Sequence, residues 1–311
     1  MKLKMTYILT TCLLFVGLFG WSQTNRYCFY DQVALEKYGD KKVEEAIIYL
    51  DSGIANCEKI ANDAYTYHIR GFFNYELFKN LERDDENSSY RNAALVDLQK
   101  SLDLQPEGEY ASKNRSKIQT IALTFQKNIA DNLDTVNYTK IDGLNATFNK
   151  VVNDNKININ LKQHNLDVKM LMADIHQQLF ENNESRLAEK DVAIKLYKEI
   201  IAEDSLNATA NENLGLFLHN LSIQANMSLD DEADILEVLT AQEEAVELGK
   251  KAIPYLKTAY ELQPKNGTVV KGLAAMFYLL NDHETHEIYM RKLENLSEGE
   301  KIEDGSQPND N

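Results

Sequence analysis

A recurring spacing of small and bulky residues constrains the fold of this chain more than any other feature. The spacing is four, three and five residues, and its clearest example is Ala252, Leu256, Ala259 and Pro264. The first three positions return 34 residues later as His286, Met290 and Leu293. Apolar residues three and four apart mark one face of a helix, and small residues on that face let a second helix approach closely. Residues 252–293 therefore predict a helix, a tight turn, a second helix and the start of a third.

The same spacing occurs twice more upstream. Its members there are Ala94, Leu98, Ser101 and Pro106, followed by Ala193, Tyr197, Ile200 and Ser205. Three landmarks lie 59 residues before their later counterparts: Ala193, Ser205 and Gly215 before Ala252, Pro264 and Ala274. A common offset indicates an internal repeat. Because 59 exceeds the period of 34, the offset predicts an insertion of about 25 residues near residues 225–249.

The predicted insertion has the pattern of a helix. Ser228 is followed by acidic residues, as at a helix N-terminus. An apolar stripe continues beyond it through Ile235, Leu236, Leu239 and Ala245. We expect the insertion to lengthen the second helix of its repeat into an arm. Since proline cannot donate the helical hydrogen bond, we also expect Gly249 and Pro254 to kink or break this helix between residues 247 and 254.

The repeated unit resembles the tetratricopeptide repeat (TPR), a helical hairpin that stacks on copies of itself. The likeness is carried by the recurring spacing and by the aromatic and small positions of the first helix: Tyr67, Gly71, Leu214, Gly215, Leu273, Ala274 and Phe277. It implies an all-α fold, a right-handed α-solenoid of about five to six helix pairs across residues 23–296. Between Pro106 and Ala193 only the hairpin lengths remain, and repeats there are inferred from their neighbours.

The charge balance excludes two classes of partner. The chain has 33 basic and 49 acidic residues, a net charge of -16. Nucleic-acid binding needs clustered Lys and Arg side chains, and docking on an anionic membrane surface needs them as well. We therefore expect no nucleic acid and no anionic lipid as partners. The tail, residues 297–311, has almost no apolar side chains and is predicted to be disordered.

The N-terminus predicts a signal peptide over residues 1–22. Lys2 and Lys4 precede an apolar run, residues 7–19, which is short for a membrane span. The small residues Gly20 and Ser22 follow this run at the spacing that signal peptidase needs, and we expect cleavage after Ser22. No later segment predicts an integral membrane span. The chain is similar to envelope TPR proteins of Gram-negative bacteria, which implies export to the periplasm or cell envelope.

Two cysteines, Cys28 and Cys57, remain after the predicted cleavage. In an oxidising compartment they can form a bridge between the N-terminal segment and an early helix. The other interpretation is two buried, reduced thiols, and the sequence leaves both open. Since the two are not a C-x-x-C pair, redox catalysis has little support.

No motif of a catalytic, cofactor or metal site is present in the sequence. His283 and His286 are three residues apart, whereas the H-E-x-x-H zinc motif spaces its histidines by four. The sequence also lacks a G-x-S-x-G elbow and a glycine-rich phosphate loop. Its acidic pairs are typical of a solvated helix face. We therefore expect no enzyme activity, no cofactor and no bound metal.

Four aromatic residues are the best candidates for partner binding. They are Tyr65, His68, Phe72 and Tyr75, whose spacing of three, four and three places them along one strip of a helix. Either neighbouring repeats bury most of them, or they form a peptide-binding patch on the concave surface of the solenoid. The carboxylate clamp of chaperone-binding TPR proteins is absent from the corresponding positions.

These observations predict a non-catalytic protein–protein interaction scaffold of the bacterial cell envelope. The resemblance implies that it binds a protein or peptide partner on its concave surface. The alternative is a carbohydrate-binding or nutrient-uptake accessory protein, because exposed aromatic side chains also suit sugars.

Overall fold

A computed structural model describes residues 28–227, 229 and 233–304 of the chain. The predicted signal peptide and Ser228 lie outside the described residues. Within the described residues every regular element is helical and there is no strand, which confirms the prediction of an all-α fold.

The described part of the chain contains thirteen α-helices. In chain order they are α1 (Tyr30–Gly39), α2 (Val43–Asn56), α3 (Glu58–Ala61), α4 (Ala64–Leu81), α5 (Ser89–Leu104), α6 (Ala111–Asp131), α7 (Ile141–Asp154), α8 (Leu161–Asn182), α9 (Leu187–Glu203), α10 (Ala208–Met227), α11 (Ile235–Leu262), α12 (Gly267–Leu279) and α13 (His283–Asp304). A 3-10 turn, Tyr138–Lys140, precedes α7.

The chain divides into two compact units. The first contains the described residues up to Asn132 together with Lys140–Ile159, and so holds α1 to α7. The second contains Leu133–Thr139 and the residues from Asn160 onward, and so holds α8 to α13. Each unit has its own buried apolar core. One continuous, right-handed solenoid across both units stays a prediction.

In the first unit, α4 and α5 approach closely because Gly71 on α4 has no side chain. A Cβ atom added to Gly71 on α4 would lie 2.8 Å from Cγ of Leu98 on α5. The α4 helix begins where the side chain of Asp63 accepts hydrogen bonds from the backbone N–H groups of Tyr65 and Thr66, which removes two of the unpaired donors at the helix start. The hairpin therefore depends on a cap at its start and a glycine at its crossing.

The second unit repeats this contact between α10 and α11. A Cβ atom added to Gly215 would lie 2.8 Å from Cγ of Leu256. Leu98 and Leu256 hold the same place in the recurring spacing, and Gly71 and Gly215 hold the same place in the first helix. The equivalent contacts confirm that the segments ending at Pro106 and Pro264 are equivalent helical hairpins. The third copy lies on α9, where Ala193, Tyr197 and Ile200 are fully buried.

Gly215, which lies at a helix crossing, and Gly143, which does not, give a matched test of this packing. We expect Gly215→Ala to destabilise the chain by up to about 2 kcal/mol, because overpacking against Leu256 costs about 1–3 kcal/mol and helix propensity returns about 1. Gly143 on α7 has no atom within 4 Å of an added Cβ. Gly143→Ala is therefore expected to stabilise by up to about 1 kcal/mol. Urea unfolding followed by circular dichroism measures both, and a gain at Gly215 would contradict the close crossing.

The insertion lengthens both helices of its hairpin. The α11 helix has 28 residues and α10 has 20, against 13 in α12 of the following hairpin. The α11 helix begins with a capping box, in which the Asp234 side chain accepts from the backbone of Glu237 and the Glu237 side chain accepts from the backbone of Asp234. The sequence placed the added residues in the second helix alone, whereas the structure divides them between the two.

Of the kink or break predicted between residues 247 and 254, the break is wrong, because α11 is one unbroken helix from Ile235 to Leu262, and a kink within it stays a prediction. Gly249 is buried, and a Cβ added there would lie 3.2 Å from Sδ of Met276 on α12. This glycine serves close packing and does not end the helix. Pro254 and Lys250 both lie on the exposed face. The Lys250 carbonyl that loses its helical donor can therefore accept from water, which makes the proline tolerable.

The last helix extends further than the sequence predicts. The α13 helix continues to Asp304, so it includes the first part of the segment expected to be disordered. The residues from Ser297 to Asp304 contain Glu and Lys, which favour helix, and the chain's last proline comes only at Pro308. Residues 305–311 lie outside the described residues.

Candidate functional site

The structure separates the four aromatic residues that the sequence groups together. Tyr65 and His68 lie beside Tyr110, the residue that precedes α6. Phe72 instead packs against Tyr38 of α1, with ring centroids 5.9 Å apart. Tyr75 is buried, and Nζ of Lys117 lies 4.1 Å from its ring centroid. Tyr75 is thus buried, whereas Tyr65 and Phe72 are half-buried against the core of the first unit. Partner binding at the four residues stays a prediction.

Tyr65, His68 and Tyr110 form an aromatic cluster anchored to the protein interior. The rings of His68 and Tyr110 are stacked with centroids 4.4 Å apart, so each covers one face of the other. Nδ1 of His68 donates to Oδ1 of buried Asn114 over 2.6 Å. Nδ2 of Asn114 in turn donates to Oγ of Ser101 over 2.9 Å. Burial lowers the pKa of the His68 imidazole.

Buried charges of the first unit join helices rather than line a cavity. Arg70 on α4 donates from both Nε and Nη2 to the carboxylate of Asp97 on α5, over 3.0 and 2.5 Å. Asn74 donates to the same carboxylate over 3.1 Å. Burial raises the pKa of the Asp97 carboxyl, and the hydrogen bonds from Arg70 and Asn74 oppose that rise. Because the carboxylate is fully engaged by its own hairpin, its evident role is structural.

The second unit contains an open groove of about 990 Å³. One wall is the long hairpin of α10 and α11, and the other is formed by the short helix α12 and the start of α13. The apolar side chains that line it are Ile223, Leu229, Val246, Ala275, Met276, Tyr278 and Leu279. The polar ones are Ser222, Gln242, Asn281, His283 and His286. None of the described lining residues is Asp, Glu, Lys or Arg, although these make up 26% of the chain.

Tyr278 and two histidines form the wall of this groove beside α13. The ring centroid of Tyr278 is 5.7 Å from that of His283 and 5.3 Å from that of His286. His286 is held in place by a hydrogen bond of 2.8 Å between its Nδ1 and the carbonyl of Ala274. The Tyr278 residue is 60% exposed. The groove thus presents an accessible aromatic side chain whose orientation is set by its neighbours.

Beyond the groove, the long hairpin carries further exposed apolar residues. They are Met227 at the end of α10, and Ile235, Leu236 and Leu239 at the start of α11. Single exposed apolar residues are common on protein surfaces, but a contiguous apolar patch marks an interaction site. The sequence showed the α11 stripe, but it gave no sign that the stripe remained uncovered, since that depends on the length of the neighbouring helix.

Neither a metal site nor a membrane span is evident in the part of the chain that the structure describes. No three His, Cys, Asp or Glu side chains there are arranged to hold a metal ion. None of the described helices combines the length and apolar character needed to cross a bilayer.

Comparison with known proteins gives weak structural likenesses. No protein-family model matches the sequence, and no curated protein is significantly similar to it. The crystal structure of the MamA protein is matched over 91% of this chain and 97% of that one, at 11% identity and a TM-score of 0.30. A monomeric IFIT1 mutant with Gppp-AAAA is matched over 85% of this chain and 58% of that one, at 19% identity and a TM-score of 0.34.

A third likeness is to the human IFIT1 dimer with m7Gppp-AAAA, at 15% identity and a TM-score of 0.34, over 86% of this chain and 67% of that one. Scores this low support no inference from those proteins to this one. The chain's own contacts, the glycine–leucine crossings Gly71–Leu98 and Gly215–Leu256, show that it contains repeated helical hairpins. These hairpins resemble TPR units. The candidate binding surface, the groove beside the long hairpin, lies where one of the repeated hairpins has been extended.

Proposed function

We propose that this chain is a non-catalytic scaffold that binds a protein partner in the groove of its second unit. The observation that carries the proposal is the accessible apolar lining of that groove, continuous with exposed apolar residues on α10 and α11. Grooves with an apolar floor between helices are a recurrent mode of binding amphipathic helices. The groove lining holds no pair of carboxylates and no nucleophile beside a base, which favours binding over catalysis.

Export to the cell envelope is part of the same proposal. The positively charged start and apolar run of residues 1–22 support it. In the structure Cys28 and Cys57 are joined by a disulfide, with Cα atoms 6.1 Å apart. Disulfides persist mainly in oxidising compartments, so the bridge is in keeping with an exported chain.

Photocrosslinking in the native envelope tests the proposed function. We expect a photoreactive phenylalanine analogue in place of Tyr278 to crosslink to a discrete protein. The same analogue at Leu123, an exposed residue of α6 in the first unit, serves as the matched control and is expected to give no such adduct. Adducts of equal yield at both positions, or none at Tyr278, would contradict binding in the groove.

A further inference from the structure

One stripe of α11 begins in an interface that already exists within the second unit and continues onto exposed surface. Its members are Ile235, Leu239, Gln242, Val246, Gly249 and Ile253, which alternate four and three residues apart. This is the spacing with which one helix packs along another. At the C-terminal end of the stripe Gly249 meets Met276 and Leu279 of α12, and Ile253 packs against the apolar core.

The N-terminal half of the stripe has no covering helix among the described residues. The α12 helix has 13 residues against 28 in α11, and its last residue, Leu279, lies beside Gly249. Ile235 is consequently 74% exposed and Leu239 is 49% exposed. The uncovered part, residues 235–246, is about 18 Å long at 1.5 Å per residue. A partner helix of about three turns, placed along α11 as a continuation of α12, would cover this part of the stripe.

The charges around this surface have one sign. Residues 219–227, 235–249 and 278–290 form its walls and contain no Lys or Arg. Exposed carboxylates flank it instead, from Glu237, Glu243 and Glu244 on α11 and from Glu284 and Glu287 on α13. Glu247 is engaged, because Nζ of Lys250 donates to its carboxylate over 2.7 Å. An occupant with carboxylates at its own edges would be repelled, and one with cationic edges would be attracted.

We infer that the uncovered stripe of α11 docks a cationic amphipathic helix of a partner protein. Its apolar face, with residues three and four apart over about three turns, lies on Ile235, Leu239 and Val246. Lys and Arg side chains along its edges face the carboxylates of Glu243 and Glu284. The inference rests on the proposed function, because it names the class of partner for the same groove.

The charge pattern disfavours the other occupants of such a surface. A second copy of this chain would bring two acidic edges together, since both copies carry the same carboxylates. An anionic lipid surface or a nucleic acid would meet the same repulsion. A helix with apolar and cationic faces satisfies both the stripe and its edges.

Two synthetic helical peptides of 18 residues test the inference on the chain from residue 23 onward. Both carry leucine on one face, with Lys at the edges of one peptide and Glu at the edges of the other. We expect the Lys peptide to bind at least tenfold more tightly in fluorescence anisotropy, and its affinity to fall as salt is raised. The double variant Ile235→Ser with Leu239→Ser is expected to weaken binding at least tenfold. Leu123→Ser, at a similarly exposed leucine, is the matched control and should leave binding unchanged.

The outcomes separate this inference from the proposed function. Equal binding of the two peptides, or Lys-peptide binding that survives the double serine variant, would overturn the cationic helix. Failure of both peptides to bind would also overturn it. A dimer in analytical ultracentrifugation that the double variant dissociates would overturn it in favour of a second copy. In each case protein adducts at Tyr278 would still support the proposed scaffold function. The absence of such adducts would contradict that function.

Discussion

Leu256→Ala is expected to destabilise the second unit by about 2–5 kcal/mol, the range for truncating a fully buried leucine. Leu256 is 0% exposed and stands at the crossing of three helices. Its side chain meets Gly215 on α10, and its Cδ1 would lie 3.4 Å from a Cβ added to Gly272 on α12. Because both neighbours are glycines within helices, little side-chain mass is available to fill the cavity. A loss near the upper end of the range is therefore expected.

Urea unfolding followed by circular dichroism measures this loss, and a double-mutant cycle identifies its cause. If the Gly215–Leu256 contact is responsible, Gly215→Ala should cost little in the Leu256→Ala background, because the added methyl then enters the cavity. Strictly additive costs would show that the two residues do not share the crossing. Unchanged stability of Leu256→Ala alone would contradict its place in the core.

The hairpins could be predicted from the sequence because their contacts are local and repeated. Each crossing joins two helices that are consecutive in the chain, so one glycine and one leucine at fixed positions suffice to identify it. In the structure these positions meet as Gly71 with Leu98 and Gly215 with Leu256. Between Pro106 and Ala193 this signal fades, although α6, α7 and α8 are present. An apolar side chain in this stretch does not by itself mark the buried face of its helix, since Leu171 on α8 is 44% exposed and Met172 beside it is buried.

The interior of α11 was mispredicted because local signals compete with tertiary packing. Gly249 and Pro254 normally interrupt a helix. Here the glycine is needed for contact with Met276, and the proline falls on the solvent face. The direction that each residue faces depends on the position of α12, which no local pattern specifies.

The candidate site was the least predictable part for a related reason. The periodicity of α4 grouped Tyr65 and His68 with Phe72 and Tyr75, but the neighbours of each residue come from other helices. Tyr110 completes the aromatic cluster from the loop before α6, and a loop residue has no periodicity to reveal it. The groove in the second unit depends on the unequal lengths of α11 and α12. The offset of 59 residues was the one sequence signal that pointed to it.

Replacing Cys57 by serine is expected to cost about 3–4 kcal/mol, the loop-closure value for a bridge that spans 29 residues. The disulfide joins Cys28, just before α1, to Cys57, which lies between α2 and α3. The α1 helix has 10 residues and buries only Ala34, and helices this short are marginal without tertiary support. The bridge therefore supplies much of what holds α1 against Gly53 and the rest of α2.

Intact mass before and after reduction establishes the bridge, and urea unfolding with and without reductant measures its effect. Reduction of the unmodified chain should reproduce the loss in Cys57→Ser, and the double variant Cys28→Ser with Cys57→Ser should lose no more than the single one. Because the chain from residue 23 has no other cysteine, any effect of reductant on stability must come from this pair. Identical unfolding in both conditions would show that α1 is held by packing alone. The signal peptide would then be the main support for an oxidising compartment.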